Sequence, residues 1–126
     1  MNRIEWIILI TNKYIYSKAF YRDILNLPIE REIDAEEFVQ FKLKNCFLAL
    51  FGRNQAERLL SSKYLAKSGG AIYTWAESED IDKTYRALKK KGVKFIKFPK
   101  TQPWGQRTAY FTDPDGHIWE IQEWLK

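Results

Sequence analysis

The stretch FTDPDGHIWEI, from Phe111 to Ile121, gathers the chain's single histidine, His117, with Asp113, Asp115 and Glu120. Imidazole and carboxylate groups hold divalent cations or move protons near neutral pH, so metal-assisted and acid–base chemistry are both raised here. Spacing separates these residues. His117 and Glu120 are three positions apart, and on a strand an odd separation places side chains on opposite faces. If Glu120 points into a cleft, His117 points away from it. Pro114 and Gly116 suit tight-turn geometry, and Asp113 and Asp115 are turn formers first. His117 and Glu120 are therefore not expected to face the same ligand. A carboxylate in an apolar cleft must find a donor or carry a raised pKa, and Arg107 or Gln122 could supply the hydrogen bond.

Several chemistries find no support. Cys46 is the only cysteine, so neither an internal disulfide nor a thiolate metal cluster can form. Ser17, Ser61 and Ser62 have no histidine placed to activate them, and no glycine-rich phosphate loop is present. The formal net charge is +5, with Lys89, Lys90, Lys91, Lys94, Lys97 and Lys100 close together. That run is predicted to be a solvated helix end followed by a lysine-protected edge strand, with no accompanying nucleic-acid motif. A basic balance also suits a pocket for an acidic ligand. The apolar run Trp6–Ile10 is too short for a signal sequence or a membrane span. A soluble, cytoplasmic protein without membrane or nucleic-acid partners is expected.

The elements that must position Glu120 follow from periodicity. Arg3 to Ile10 is predicted as a buried strand, and Tyr14 to Leu25 as a helix stopped by Asn26-Leu27-Pro28. Strands are predicted over 28–33, 38–44 and 47–51. Residues 54–67 have helical spacing and end at Gly69-Gly70. A strand over 71–76 and a helix over 81–91 follow, the helix carrying an Asp82–Arg86 pair and a Gly92 cap. Further strands are predicted over 93–98, 108–112 and 117–124. Each half reads strand, helix, then three strands, about 1–53 and 71–126, joined by a connector at about 54–70. One such unit leaves a sheet face uncovered, so the two are expected to pair within a single 126-residue α+β domain.

This doubled βαβββ order resembles the vicinal oxygen chelate superfamily, which includes glyoxalase I, bleomycin-resistance proteins and extradiol dioxygenases. Local wording agrees: Ser17–Leu25 resembles the family's first helix. Glu79–Asp82 with Leu88–Val93 resembles its second. Gln102–Gly105 followed by Phe111–Glu120 resembles its closing loop and hairpin. The resemblance implies two tandem modules forming a curved mixed sheet around a cleft, paired in a dimer. In metal-dependent members it implies a divalent ion acting as a Lewis acid, held by side chains from first and last strands of both modules.

Placed on this chain, the implied ligand positions fall on Trp6, Leu50, Ala71 or Tyr73, and Glu120. Only Glu120 can coordinate a metal, so no resident metal or other cofactor is expected. Trp6, Ile8, Leu50, Tyr73 and Trp75 are instead expected to line an aromatic and apolar cleft, with Arg107 and Glu120 as polar contacts. Trp104, bracketed by Pro103 and Gly105, is expected to act as a lid. The expected function is binding or sequestering an aromatic or amphipathic small molecule, in the manner of resistance proteins, by a homodimer. The alternative is a glyoxalase-like lyase, isomerase or dioxygenase, metal-dependent or with Glu120 as catalytic general base.

Overall fold

A computed structural model describes residues 1–126. They form two compact units, Met1–Lys67 and Ser68–Lys126. The first unit contains β1 (Trp6–Thr11), α1 (Tyr14–Ala19, continued by a π-helical segment Phe20–Ile24), β2 (Ile29–Ile33), β3 (Phe38–Lys42), β4 (Phe47–Gly52) and α2 (Arg53–Leu60). The second contains β5 (Ile72–Thr74), α3 (Ile81–Lys90), β6 (Lys94–Thr101), β7 (Gln106–Thr112) and β8 (Ile118–Trp124). Each unit therefore carries a βαβββ module, as the order of elements in the sequence predicts. The helix expected as a connector belongs to the first unit. No helix is long and apolar enough to cross a membrane.

The two sheets share one topology, β1-β4-β3-β2 and β5-β8-β7-β6. In each, the first strand lies parallel to the last, and the other pairings are antiparallel. Parallel pairing of first and last strands requires a crossover, and the module helix supplies part of it. That helix covers one face of its sheet. In the first unit the covered face carries Leu9, Val39, Phe41, Leu48 and Leu50, all buried, with the Tyr21 ring 5.9 Å from that of Phe41. In the second it carries Ala109, Phe111, Trp119 and Ile121 beneath Ile81 of α3. Each large side chain removed from water here stabilises its module by roughly 1.5–3 kcal/mol before the cost of ordering it.

Polar side chains secure the ends of the elements. Asp80 caps α3 by accepting from the Lys83 amide at 3.1 Å, and Gly92 follows its C-terminus with a φ of 91°. Asp113 is buried in the β7–β8 turn, where one carboxylate oxygen accepts from the amides of Asp115 and His117 at 2.9 and 2.8 Å. Lys18 of α1 is buried too, with its ammonium 2.5 Å from Glu32 and 2.8 Å from Asp34. Burial acts to lower the Lys18 pKa, but the hydrogen bonds to the two carboxylates outweigh it and the net shift is upward. The same Lys18 contact, with the Tyr14 hydroxyl, pulls the Asp34 pKa down.

One expected pair does not form. Asp82 engages Arg107 of β7 rather than Arg86: the guanidinium donates to both carboxylate oxygens, each at 2.9 Å. A planar fork meeting a carboxylate makes two aligned bonds, which a helical i, i+4 pair does not offer as readily.

Candidate functional site

Glu120 lies on the outward face of the second sheet, opposite to the face that α3 covers. Period-two alternation puts Trp119 and Ile121 into the core and leaves Ile118, Glu120 and Gln122 outward. Its neighbours are cross-strand. Thr74 of β5 and Tyr110 of β7 are the residues paired with Glu120. The Thr74 hydroxyl donates to Oε1 at 2.8 Å, and the Tyr110 hydroxyl donates to Oε2 at 2.5 Å. Burial, then the bond to Glu120, pushes the Tyr110 pKa up, so the phenol keeps its proton and the carboxylate accepts.

The carboxylate thus obtains the donors that its setting demands, although from different residues than expected. Arg107 alternates onto the α3 side, where it is committed to Asp82. Gln122 shares the outward face, but it accepts from Gln106 at 2.9 Å and donates to the Trp75 carbonyl at 3.3 Å. Both Thr74 and Tyr110 escaped the sequence reading. Counting outward from the Asp113–His117 turn would have found Tyr110, because an antiparallel hairpin pairs residues symmetrically about its turn.

Other predicted lining residues divide by face. Tyr73 and Trp75 sit on the Trp119 side, with ring centroids 5.1 and 4.5 Å from it, so they pack in an aromatic cluster away from Glu120. Thr74, between them, takes the outward position. Trp104 occupies the turn between β6 and β7, is 59% exposed, and donates to Gln106 Oε1 at 2.8 Å. The Gln106–Gln122 bond continues that chain, tethering the indole to the outward face that bears Glu120.

In the first unit, Trp6 and Ile8 point outward from the first sheet, with Ile8 51% exposed. Trp6 packs against Phe47 and Phe38 at centroid distances of 5.3 and 6.2 Å. Leu50 does not join them: it is fully buried on the α1 side, paired with Leu9 and Val39. The outward residues of β4 are Phe47, Ala49 and Phe51, so the position assigned to Leu50 is corrected by one residue.

The donor atoms can be compared with what a divalent ion requires. The outward positions of β1, β4 and β5 present Trp6, Ile8, Ile10, Phe47, Ala49, Phe51, Ile72 and Thr74, none with an imidazole or carboxylate. Glu120 alone has a suitable group, and both of its oxygens accept protein hydroxyls. No three His, Cys, Asp or Glu side chains group so that they could hold a metal ion. This donor set does not fit the metal of the family's metal-dependent members.

Module order, sheet topology and the outward carboxylate on the last strand together describe one family. Residues 3–121 match the Glyoxalase/Bleomycin resistance protein/Dioxygenase superfamily, and the chain belongs to it. It is similar to the uncharacterized protein YraH of Bacillus subtilis (strain 168), with 32% identity over 121 residues, 93% of this chain and 94% of that one. Among solved structures, it resembles a protein of unknown function from Agrobacterium tumefaciens str. C58, with 30% identity, a TM-score of 0.76, and 99% and 96% coverage of the two chains. A glyoxalase/bleomycin resistance protein/dioxygenase from Nocardioides shares the fold at a TM-score of 0.83 and 24% identity, with 100% of this chain and 85% of that one covered.

Proposed function

We propose that this protein binds or sequesters a small molecule on the outward face of its second sheet, with Glu120 and its two hydroxyl partners as the polar anchor. The observation that carries this reading is the Thr74–Glu120–Tyr110 hydrogen-bonded group on a face flanked by the tethered Trp104. A carboxylate fixed by two hydroxyls is preorganised to accept from a ligand, and an exposed indole offers apolar area to an aromatic one. The missing metal-donor atoms favour a binding role over the metal-dependent reactions of the family.

A second reading is supported by the same pair. A carboxylate beside a phenol could take a proton from a bound substrate and return one to it, with Glu120 as the base. Thermal-shift screening of aromatic metabolites and antibiotics, followed by product analysis of each binder, tests both. Saturable stabilisation that Glu120→Gln weakens, with the ligand recovered unchanged, is the outcome expected. Stabilisation by no compound would sink the binding reading, and turnover abolished by Glu120→Gln would replace it with the enzymatic one.

A further inference from the structure

The outer strand β6 is built irregularly, and its irregularity has a direction. Lys94, Lys97 and Lys100 are spaced by three, so an unbroken strand would put Lys97 on the face opposite to the other two. Register shifts fall between Phe95 and Lys97 and again between Lys97 and Lys100. They leave Lys94 paired with Thr112, Lys97 with Tyr110 and Lys100 with Thr108. Those three partners are the alternate, outward residues of β7. Two bulges therefore turn all three lysines onto the face that holds Glu120. Bulges re-aim side chains in this way at sheet edges and beside functional sites.

A continuous row results, Thr74–Glu120–Tyr110–Lys97, one residue from each strand of the sheet. With strands about 4.8 Å apart, the Lys97 backbone lies roughly 10 Å from that of Glu120. The flanking rows likewise end in a lysine: Ile72–Ile118–Thr112–Lys94 on one side and Gln122–Thr108–Lys100 on the other. All three lysines are exposed and none forms an ion pair. Lysines and bulges both blunt a sheet edge, but edge protection does not require the three lysines to share one face, and that shared face is the one that holds Glu120.

We infer that the ligand of this face is an organic anion, an aromatic or apolar body carrying a carboxylate, sulfonate or phosphate group that the β6 lysines receive. The inference rests on the small-molecule reading of the site and names its ligand class. The body lies over the outward isoleucines Ile72 and Ile118, while the anionic group reaches the β6 edge. Glu120 and Tyr110 then face the uncharged part of the molecule.

The test compares 8-anilinonaphthalene-1-sulfonate with neutral 1-anilinonaphthalene, by fluorescence titration of the full chain at low and at physiological salt. Three exposed charge contacts predict that the sulfonate binds about tenfold more tightly at low salt, a preference that shrinks as salt is added. Replacing all three lysines (K94Q, K97Q and K100Q together) should remove that preference and leave the neutral probe unchanged. K97Q alone should reduce it roughly threefold. A second triple variant, K83Q with K90Q and K91Q, carries the same charge change elsewhere and should keep it. Equal affinities for the two probes, or an equal loss in both triple variants, overturns the anion inference alone. Binding of neither probe overturns it together with the reading on which it rests. Near-UV circular dichroism establishes that each variant is folded.

Discussion

Tyr110 and Glu120 stand directly opposite each other on adjacent antiparallel strands, and the phenol donates to the carboxylate across that pair. Neither residue is needed to close the core, which lies on the other face. Tyr110→Phe should therefore cost only about 1 kcal/mol of stability, the worth of one hydrogen bond. Its larger effect should be on ligand affinity, because the Glu120 carboxylate loses the contact that orients it. Denaturant unfolding and a binding titration on the same variant separate the two effects. A large loss of stability with unchanged affinity would assign the pair a structural role.

Asp113 was predicted to be a turn former, and its buried carboxylate holds two backbone amides of the β7–β8 turn. Asp113→Ala should destabilise the protein by about 1–3 kcal/mol, since it strands buried donors. Asp113→Asn retains an acceptor oxygen and should cost less. Urea midpoints measure both, and equal midpoints for the two variants would contradict the bonding described.

Stability should fall at both ends of the pH scale, for opposite reasons. Asp82, held by Arg107, and Asp34, held by Lys18 and Tyr14, have folded-state pKa values below the ordinary carboxylate range. Their contribution is fully present above the unfolded value of about 3.9 and is lost as pH falls through the lower folded values. Lys18 is shifted upward in the folded state, so its contribution is present below about 10.4 and is lost as pH rises through the folded value. Thermal melts across pH should show the acid limb flattened by Asp82→Asn together with Asp34→Asn. The alkaline limb should be flattened by Lys18→Met.

Metal addition gives a further check. Because the outward positions of β1, β4, β5 and β8 present a single carboxylate already bonded to two hydroxyls, Zn, Mn, Ni or Fe(II) should not shift the melting temperature in a Glu120-dependent way. Elemental analysis of protein purified without chelator should find substoichiometric metal. A stoichiometric ion lost in Glu120→Gln would contradict the comparison of donor atoms.

The order of elements was legible because helical and strand periodicities differ sharply and Gly or Pro punctuates most boundaries. Faces were less legible, and Leu50 shows why. Setting Lys44-Asn45 of the β3–β4 connection against Asp115-Gly116 of the β7–β8 connection matches Glu120 with Ala49, so the assignment to Leu50 is one residue too far along β4. A slip of one residue reverses the face of every side chain along the strand. The lysines of β6 do lie exposed on an edge strand as predicted, but the face each takes was not legible, because a bulge changes alternation without leaving a residue-type signature. Pro99 falls just past the strand predicted over 93–98 but lies within β6, an edge position where its missing N–H is tolerated.

Each member of the Thr74–Glu120–Tyr110–Lys97 row comes from a different strand, so no form of the sheet with one strand detached retains all four. A molecule gripping the whole row is consequently a clasp: it holds closed the strand readiest to peel away. Occupancy should suppress hydrogen exchange most at whichever of β5 and β6, the two outermost ribbons, opens first when the protein is empty.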